Sequence, residues 1–322
     1  MKAIQVDGDR LVWKETESPT LGTGEVRIRV AATAVNRADL VQRRGGYPPP
    51  PGASPILGLE CAGEVVEVGE GVARCAPGDR VCALLAGGGY AEEVVVPAGQ
   101  VLPLPGGIGM VEAAALPEVF ATAFLNLFME ANLTRGESVL LHAGASGVGT
   151  AAIQLCVQSG NPCFVTAGSA EKIDRCVALG AGGGWNRHDG SFVEAVRAWA
   201  GAGVDVILDP VGAAYLGDNL SVLATDGRLV VIGLMGGAET KLNLGVMMVK
   251  RQRLIGSTLR ARSVGAKAAV MDRLRDEVWP HIERGAIQPI IETVIPIEEA
   301  ERAHELVASD ATFGKVVLRV GG

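Results

Sequence analysis

The stretch Val139-Leu140-Leu141-His142-Ala143-Gly144-Ala145-Ser146-Gly147-Val148-Gly149-Thr150-Ala151-Ala152-Ile153-Gln154 decides the fold. Val139 to His142 is short, apolar and β-branched at its start, the pattern of a strand covered on both faces. A glycine turn follows at once, and Thr150 to Ile153 open a helix. Gly147 and Gly149 with Ala152 form a G-x-G-x-x-A dinucleotide fingerprint. Gly147 is expected to permit the tight turn, Gly149 to let backbone N–H groups approach a pyrophosphate, and Ala152 to let helix and strand lie close. Ser146, Gly147, Val148 and Gly149 then face the phosphates at the helix N-terminus. A chain with 44 glycines produces such spacings by chance. The strand before and the helix after are what favour nucleotide binding over a plain structural turn.

The end of the next strand discriminates between the two nicotinamide dinucleotides. A ribose-binding Asp or Glu is expected about 20 residues on, and none is there. Cys163 to Ala167 instead runs into Gly168-Ser169, with Lys172 one helical turn beyond and Arg187 after a third strand at Gly184 to Asn186. A hydroxyl and two cations suit a 2′-phosphate. The competing reading of Lys172 is a solvated charge on a helix surface.

Composition bounds the rest. At 322 residues the chain is long enough for two domains. Its net charge is −7, with 29 basic against 36 acidic residues, which argues against nucleic acid as a partner. Lys250-Arg251-Gln252-Arg253 is the one basic cluster, and it reads as a solvated face or a strand entry. The opening MKAIQVDGDRLVW alternates with charge and lacks an apolar signal core, so a soluble, cytoplasmic protein without membrane contact is expected. Six cysteines, at 61, 75, 82, 156, 163 and 176, include no C-x-x-C pair and read as buried thiols.

Residues 1 to about 117 carry short strand patterns punctuated by Gly and Pro, at Glu25 to Thr33, Gly63 to Val68, Arg80 to Leu85 and Tyr90 to Val96. From about 118 helices alternate with apolar strands at Val139–His142, Cys163–Ala167, Val204–Asp209 and Leu229–Gly233, as in a doubly wound parallel sheet. The tail suggests helices at Ala266–Arg284 and Glu298–Val307, then a strand at Lys315–Val320 that completes the first sheet. The expected fold is α/β. An irregular β domain (1–117 and 260–322) accompanies a Rossmann doubly wound parallel sheet domain (118–259).

Local phrases carry a resemblance across essentially the whole chain. Asn36-Arg37-Ala38-Asp39-Leu40, RRGGYPPPPG at 43–52, ILGLECAG at 56–63, GGGYAE at 87–92, LPEVFATAF at 116–124, HAGASGVGTAAIQL at 142–155, GLMGG at 233–237 and FGKVVL at 313–318 are similar to the zinc-independent quinone oxidoreductases. These belong to the medium-chain dehydrogenase/reductase superfamily, and the p53-inducible type is the nearest match among them. The resemblance implies a GroES-like first domain, NADPH as cofactor, a small-molecule quinone as acceptor and a homodimer joined through Rossmann-domain edge strands. Arg253 to Leu259 reads as such an edge. The residues argue separately against metal. No histidine precedes His142, Leu59 stands where zinc alcohol dehydrogenases place a ligand, and no four-cysteine lobe exists.

A quinone is already electrophilic, so few catalytic side chains are needed. Asn36 is a candidate to orient a carbonyl or the nicotinamide ribose, its alternative being a helix or turn cap. Tyr47 is a candidate proton donor or ring stack, its alternative being a loop anchor; Asp39 reads as structural. Thr122 is expected at the cofactor's ribose or phosphate by the family arrangement. Gly233, Leu234, Met235 and Gly236, at a strand's carboxyl end, form the remaining cofactor wall, and Lys315 is expected to reach the phosphates from the tail. Two other functions compete: reduction of an activated C=C bond in an enal or enone, and a low-turnover, crystallin-like NADPH-binding protein.

Overall fold

Residues 1–321 are described by the structure, a computed structural model. Two compact units divide the chain: Met1–Ala121 joined by the chain from Leu259 onward, and Thr122–Thr258. In the first unit β1 (Lys2–Asp7) and β2 (Arg10–Glu15) form an antiparallel hairpin. β3 (Glu25–Ala34), β4 (Glu60–Val68), β5 (Arg80–Leu84), β6 (Glu93–Pro97) and β7 (Val101–Pro103) follow. Val26, Ile28 and Val30 alternate along β3 and are buried, which puts one face of the strand in the core with Val65, Val81 and Val94.

The second unit holds β8 (Val139–Leu141), β9 (Cys163–Ala167), β10 (Gly184–Asn186), β11 (Val204–Asp209), β12 (Leu223–Val231) and β13 (Arg253–Gly256). All pair in parallel, in the order β10-β9-β8-β11-β12-β13. The order reverses between β8 and β11, the switch point at which open α/β sheets bind ligands beyond the carboxyl ends of their strands. Leu140, Ile207 and Leu229 are fully buried, as continuous apolar strands between helical layers must be. β13 is an edge, shorter than the expected Arg253–Leu259.

The chain then returns. β14 (Ile291–Pro296) pairs with β15 (Lys315–Arg319), and β15 pairs antiparallel with β3, so the tail strand completes the first sheet as expected. The single tail helix expected over Ala266–Arg284 is two, Val264–Glu277 and Trp279–Glu283. Pro280 lacks an amide hydrogen and restricts the residue before it, which breaks the helix there. Met110–Glu130 is helical and apolar enough to cross a bilayer by composition, but 72% of its most apolar 18-residue stretch is buried within the protein, as in a core helix.

Candidate functional site

In the second unit the carboxyl ends of β8, β9, β11 and β12 each feed one candidate segment. After β8 the tight turn lies at Ala143, in the left-handed region at φ 53°, and Gly144. Gly147 is already the first residue of the helix Gly147–Ser159, so the expected turn role belongs three to four residues earlier. Ser146 caps that helix by accepting from Gly149 N at 3.0 Å. A Cβ on Gly149 would stand 2.4 Å from Ala143 O, so its glycine is demanded first by the chain's own turn. Val148 lies in the first helical turn beside it.

After β9, Ser169 caps the helix Ala170–Ala178 by accepting from Lys172 N at 3.2 Å. Arg187, following β10, brings its guanidinium over Gly168, within 3.4 Å of where a Cβ would stand. Gly168, Ser169 and Arg187 therefore meet at one strand end, with Lys172 in the first turn of the helix that Ser169 caps. After β11 and β12 two turns interlock: Gly236 N donates to Val211 O at 2.7 Å and Met235 N to Pro210 O at 3.2 Å. Leu234 and Met235 remain 58% and 48% exposed, an apolar rim beyond β12. Gly233 sits close against Pro210 and has no room for a side chain. Thr122, at the unit's first residue, is buried, and its carbonyl accepts from Asn126 Nδ2.

Beneath these segments runs a network that the sequence reading missed. His142 meets Thr166 Oγ1 at 3.0 Å through Nδ1 and Asn219 Oδ1 at 2.7 Å through Nε2. Asn219 Nδ2 in turn donates to Asp209 Oδ2, whose carboxylate accepts from the amides of Val211 and Gly212. Burial pushes His142 down to about 4, so the neutral ring holds the ends of β8, β9 and β11 in register. Phe192 and Tyr215 pack on that ring, both 4.8 Å away between centroids.

The first unit carries Asn36 and Tyr47. Asn36 precedes the helix Arg37–Gln42, and its backbone N–H donates to Asp39 Oδ2 at 2.8 Å, half of a capping box. Its side chain is fully engaged. Nδ2 donates to Glu60 Oε1 and Ala34 O, while Oδ1 accepts from Lys315 Nζ at 2.6 Å. No amide hydrogen is left to orient a substrate carbonyl; only the second lone pair of Oδ1 is open to a donor such as a ribose hydroxyl. The expectation for Lys315 is corrected on the same ground. Its ammonium is 2.8 Å from Glu60 Oε1 and also donates to Val35 O, so it is held inside the first unit and does not reach for phosphate. Sequence gave no signal for this pairing, since the partners are 255 residues apart.

Asp39 is structural, accepting from Asn36 N, Gly58 N and Tyr90 Oη. Burial raises it to about 6, against the pull of those amides. Tyr90 Oη also meets His304 Nε2 at 3.1 Å, closing a buried cluster under the loop. Tyr47 is half-buried on that loop with its backbone carbonyl accepting from Arg260.

Family comparisons agree with both units. Residues 22–106 match the alcohol dehydrogenase GroES-like domain, and residues 147–275 match the zinc-binding dehydrogenase model. A quinone oxidoreductase of Rattus norvegicus is 32% identical over 303 residues, covering 93% of this chain and 90% of that protein. Escherichia coli quinone oxidoreductase, solved with NADPH, superposes with a TM-score of 0.86 at 28% identity over 99% of this chain and 98% of that one. The CurK enoyl reductase superposes at 0.87 with 29% identity over 99% of each. The chain is an oxidoreductase of the medium-chain dehydrogenase/reductase superfamily, related to its quinone oxidoreductases. These relatives do not single out the p53-inducible branch.

The residues present do not fit catalytic zinc. Among the described residues no three His, Cys, Asp or Glu side chains group together. Glu60 is taken up by Lys315, Asn36 and the Glu118 amide. Burial pushes the Cys61 and Cys82 thiols far up, away from the thiolate a metal needs.

Proposed function

We infer that the protein is an NADPH-dependent, zinc-independent quinone reductase of the cytoplasm. The observation that carries the reading is that Arg187 lies over Gly168 beside the Ser169 cap, with Lys172 in the first turn of the capped helix, at the strand end where a dinucleotide's ribose is expected. A bound reduced nicotinamide supplies hydride to an electrophilic acceptor. The amides of Gly147 and Val148 would hold the pyrophosphate at the helix N-terminus, where Gly149 N–H is taken by the Ser146 cap and its missing side chain leaves the approach open. Lys172 and Arg187 pair with the 2′-phosphate, and Ser169 adds a hydroxyl. Gly233 to Gly236 give backbone groups for the carboxamide, Thr122 and Asn36 Oδ1 accept from ribose, and Tyr47 gives its hydroxyl proton to the acceptor oxygen. The edge strand β13, with Leu254 exposed, supports pairing with a second copy.

A second reading, reduction of an activated C=C bond, is favoured by the likeness to an enoyl reductase. The test is oxidation of NADPH and NADH by chelator-treated protein against an ortho-quinone, a para-quinone and an α,β-unsaturated aldehyde. Quinone turnover that prefers NADPH is expected. The K172A/R187A variant should raise KM for NADPH about tenfold to a hundredfold, with little change for NADH. Turnover with the aldehyde alone would replace the quinone reading, and equal losses on both cofactors would remove the two cations from it. Tight NADPH binding with no turnover would leave a binding protein.

A further inference from the structure

Arg260 stands out as a buried cation without a carboxylate. It is 5% exposed, its Nη2 has no hydrogen-bond partner, and no ion pair reaches it among the described residues. Its other nitrogens are committed to a single task. Nη1 donates to Tyr47 O at 3.1 Å and Nε to Ala86 O at 2.8 Å, while Cζ lies 5.1 Å from the centroid of the Tyr47 ring. Lys267, also 5% exposed, braces the arrangement by donating Nζ to Arg260 O at 3.3 Å. Buried charges are ordinarily paired, because desolvation is costly. A guanidinium cannot relieve that cost by losing its proton.

We propose that Arg260, braced by Lys267, is a positioning residue: it clamps Tyr47 and stabilises the phenolate left when that side chain gives up its proton. The inference rests on the reading of Tyr47 as proton donor. In the step, the Tyr47 O–H bond breaks and an O–H bond forms on the reduced acceptor, whose electron pair comes from the nicotinamide; solvent then returns the proton to Tyr47. A cation over the ring face favours the negatively charged form of the phenol. Burial raises the Tyr47 pKa and Glu118 raises it further, so it lies above the ordinary value, and Arg260 is the group facing it that pulls it down. The charge of Asp39 raises the Arg260 pKa without pairing with it, and Lys267 has its own pKa lowered by burial and by that guanidinium.

Tyrosinate absorbance read against pH tests this without turnover. The chain has three tyrosines, so subtracting the Y47F curve isolates Tyr47. R260Q is expected to raise the Tyr47 midpoint by about one pH unit and R260K to restore it. In quinone assays R260Q should lower kcat about tenfold with KM for NADPH unchanged, and R260K should recover part of that loss. An unmoved midpoint in R260Q overturns the proposal. Should R260Q fail to fold, K267M is expected to raise the midpoint by a smaller step, and no movement there is equally decisive. A wild-type protein with no quinone turnover would remove the functional reading, while the titration still decides whether Arg260 governs Tyr47.

Discussion

Replacing Lys315 by methionine removes the cation bonded to a fully buried carboxylate, that of Glu60. Lys315 and Glu60 have side chains 4% and 0% exposed, and the ammonium makes contacts of 2.8 Å to Glu60, 2.6 Å to Asn36 Oδ1 and 2.8 Å to Val35 O. In K315M the methylene stem is kept, so little packing is lost. Glu60 is left with two neutral donors, Asn36 Nδ2 and the Glu118 amide, and Asn36 Oδ1 loses its partner. Breaking a buried pair from one side costs about 3–5 kcal/mol. At about 2–4 °C per kcal/mol for a unit of this size, Tm falls by about 6–20 °C. The double variant E60Q/K315M removes the stranded charge and keeps one acceptor oxygen, enough for one of the two donors, Asn36 Nδ2 and the Glu118 amide, so about half the loss should return. Scanning calorimetry of the four proteins reads the cycle. A K315M protein melting within about 2 °C of the parent, or a double variant no better than K315M, would refute the claim that this pair is dry and mutually dependent.

Two further outcomes are expected. His142 is held at about 4 against an ordinary 6.5, so the stability it contributes is fully present above 6.5 and lost as pH falls toward 4. Asp39, raised to about 6, works in the opposite sense, favouring the folded state when protonated and losing that contribution as pH rises from 3.8 to 6. H142Q, which does not titrate, should remove about 2 kcal/mol of the stability change between pH 7 and 5 in urea titrations, and an identical pH slope would contradict the neutral-ring assignment. G149A places a Cβ 2.4 Å from Ala143 O and 2.5 Å from Gly144 O, and is expected to cost about 1–3 kcal/mol and to weaken NADPH binding with it. Unchanged melting and unchanged affinity would show that the turn yields without consequence.

Periodicity and glycine spacing made the second unit legible: Cys163–Ala167, Gly184–Asn186 and Val204–Asp209 are strands at the expected residues. Such signals are local, since a buried parallel strand announces itself as an apolar run between turn residues. The hairpin of β1 and β2 and the strand β14 went unread because half-exposed strands with charged residues on one face resemble surface loops. Among candidate site residues, the proximity of Arg187 to Gly168 and the Ser169 cap lie where the strand ends put them. What could not be read was partnership across the chain. Asn36 looked like a free amide until Lys315 and Glu60 took its oxygen and its hydrogens, and Arg260 gave no sign because nothing in ST-LRAR marks a guanidinium without a counter-ion. A sequence displays residue types, whereas engagement is a property of distance.

The late return of β15 to the side of β3 makes order of synthesis a physical variable. Thr122–Thr258 is contiguous and can collapse as soon as it has left the ribosome, whereas the first unit waits for a strand made some 280 residues after the one it must join. During that interval Ala32–Ala34 at the end of β3 lack the partner strand that β6 supplies to Glu25–Arg29, and Glu60 is without its ammonium. The nascent chain is thus exposed to mispairing until Lys315–Arg319 has been made, and loss of that strand would be felt beside β3 in the first-made sheet.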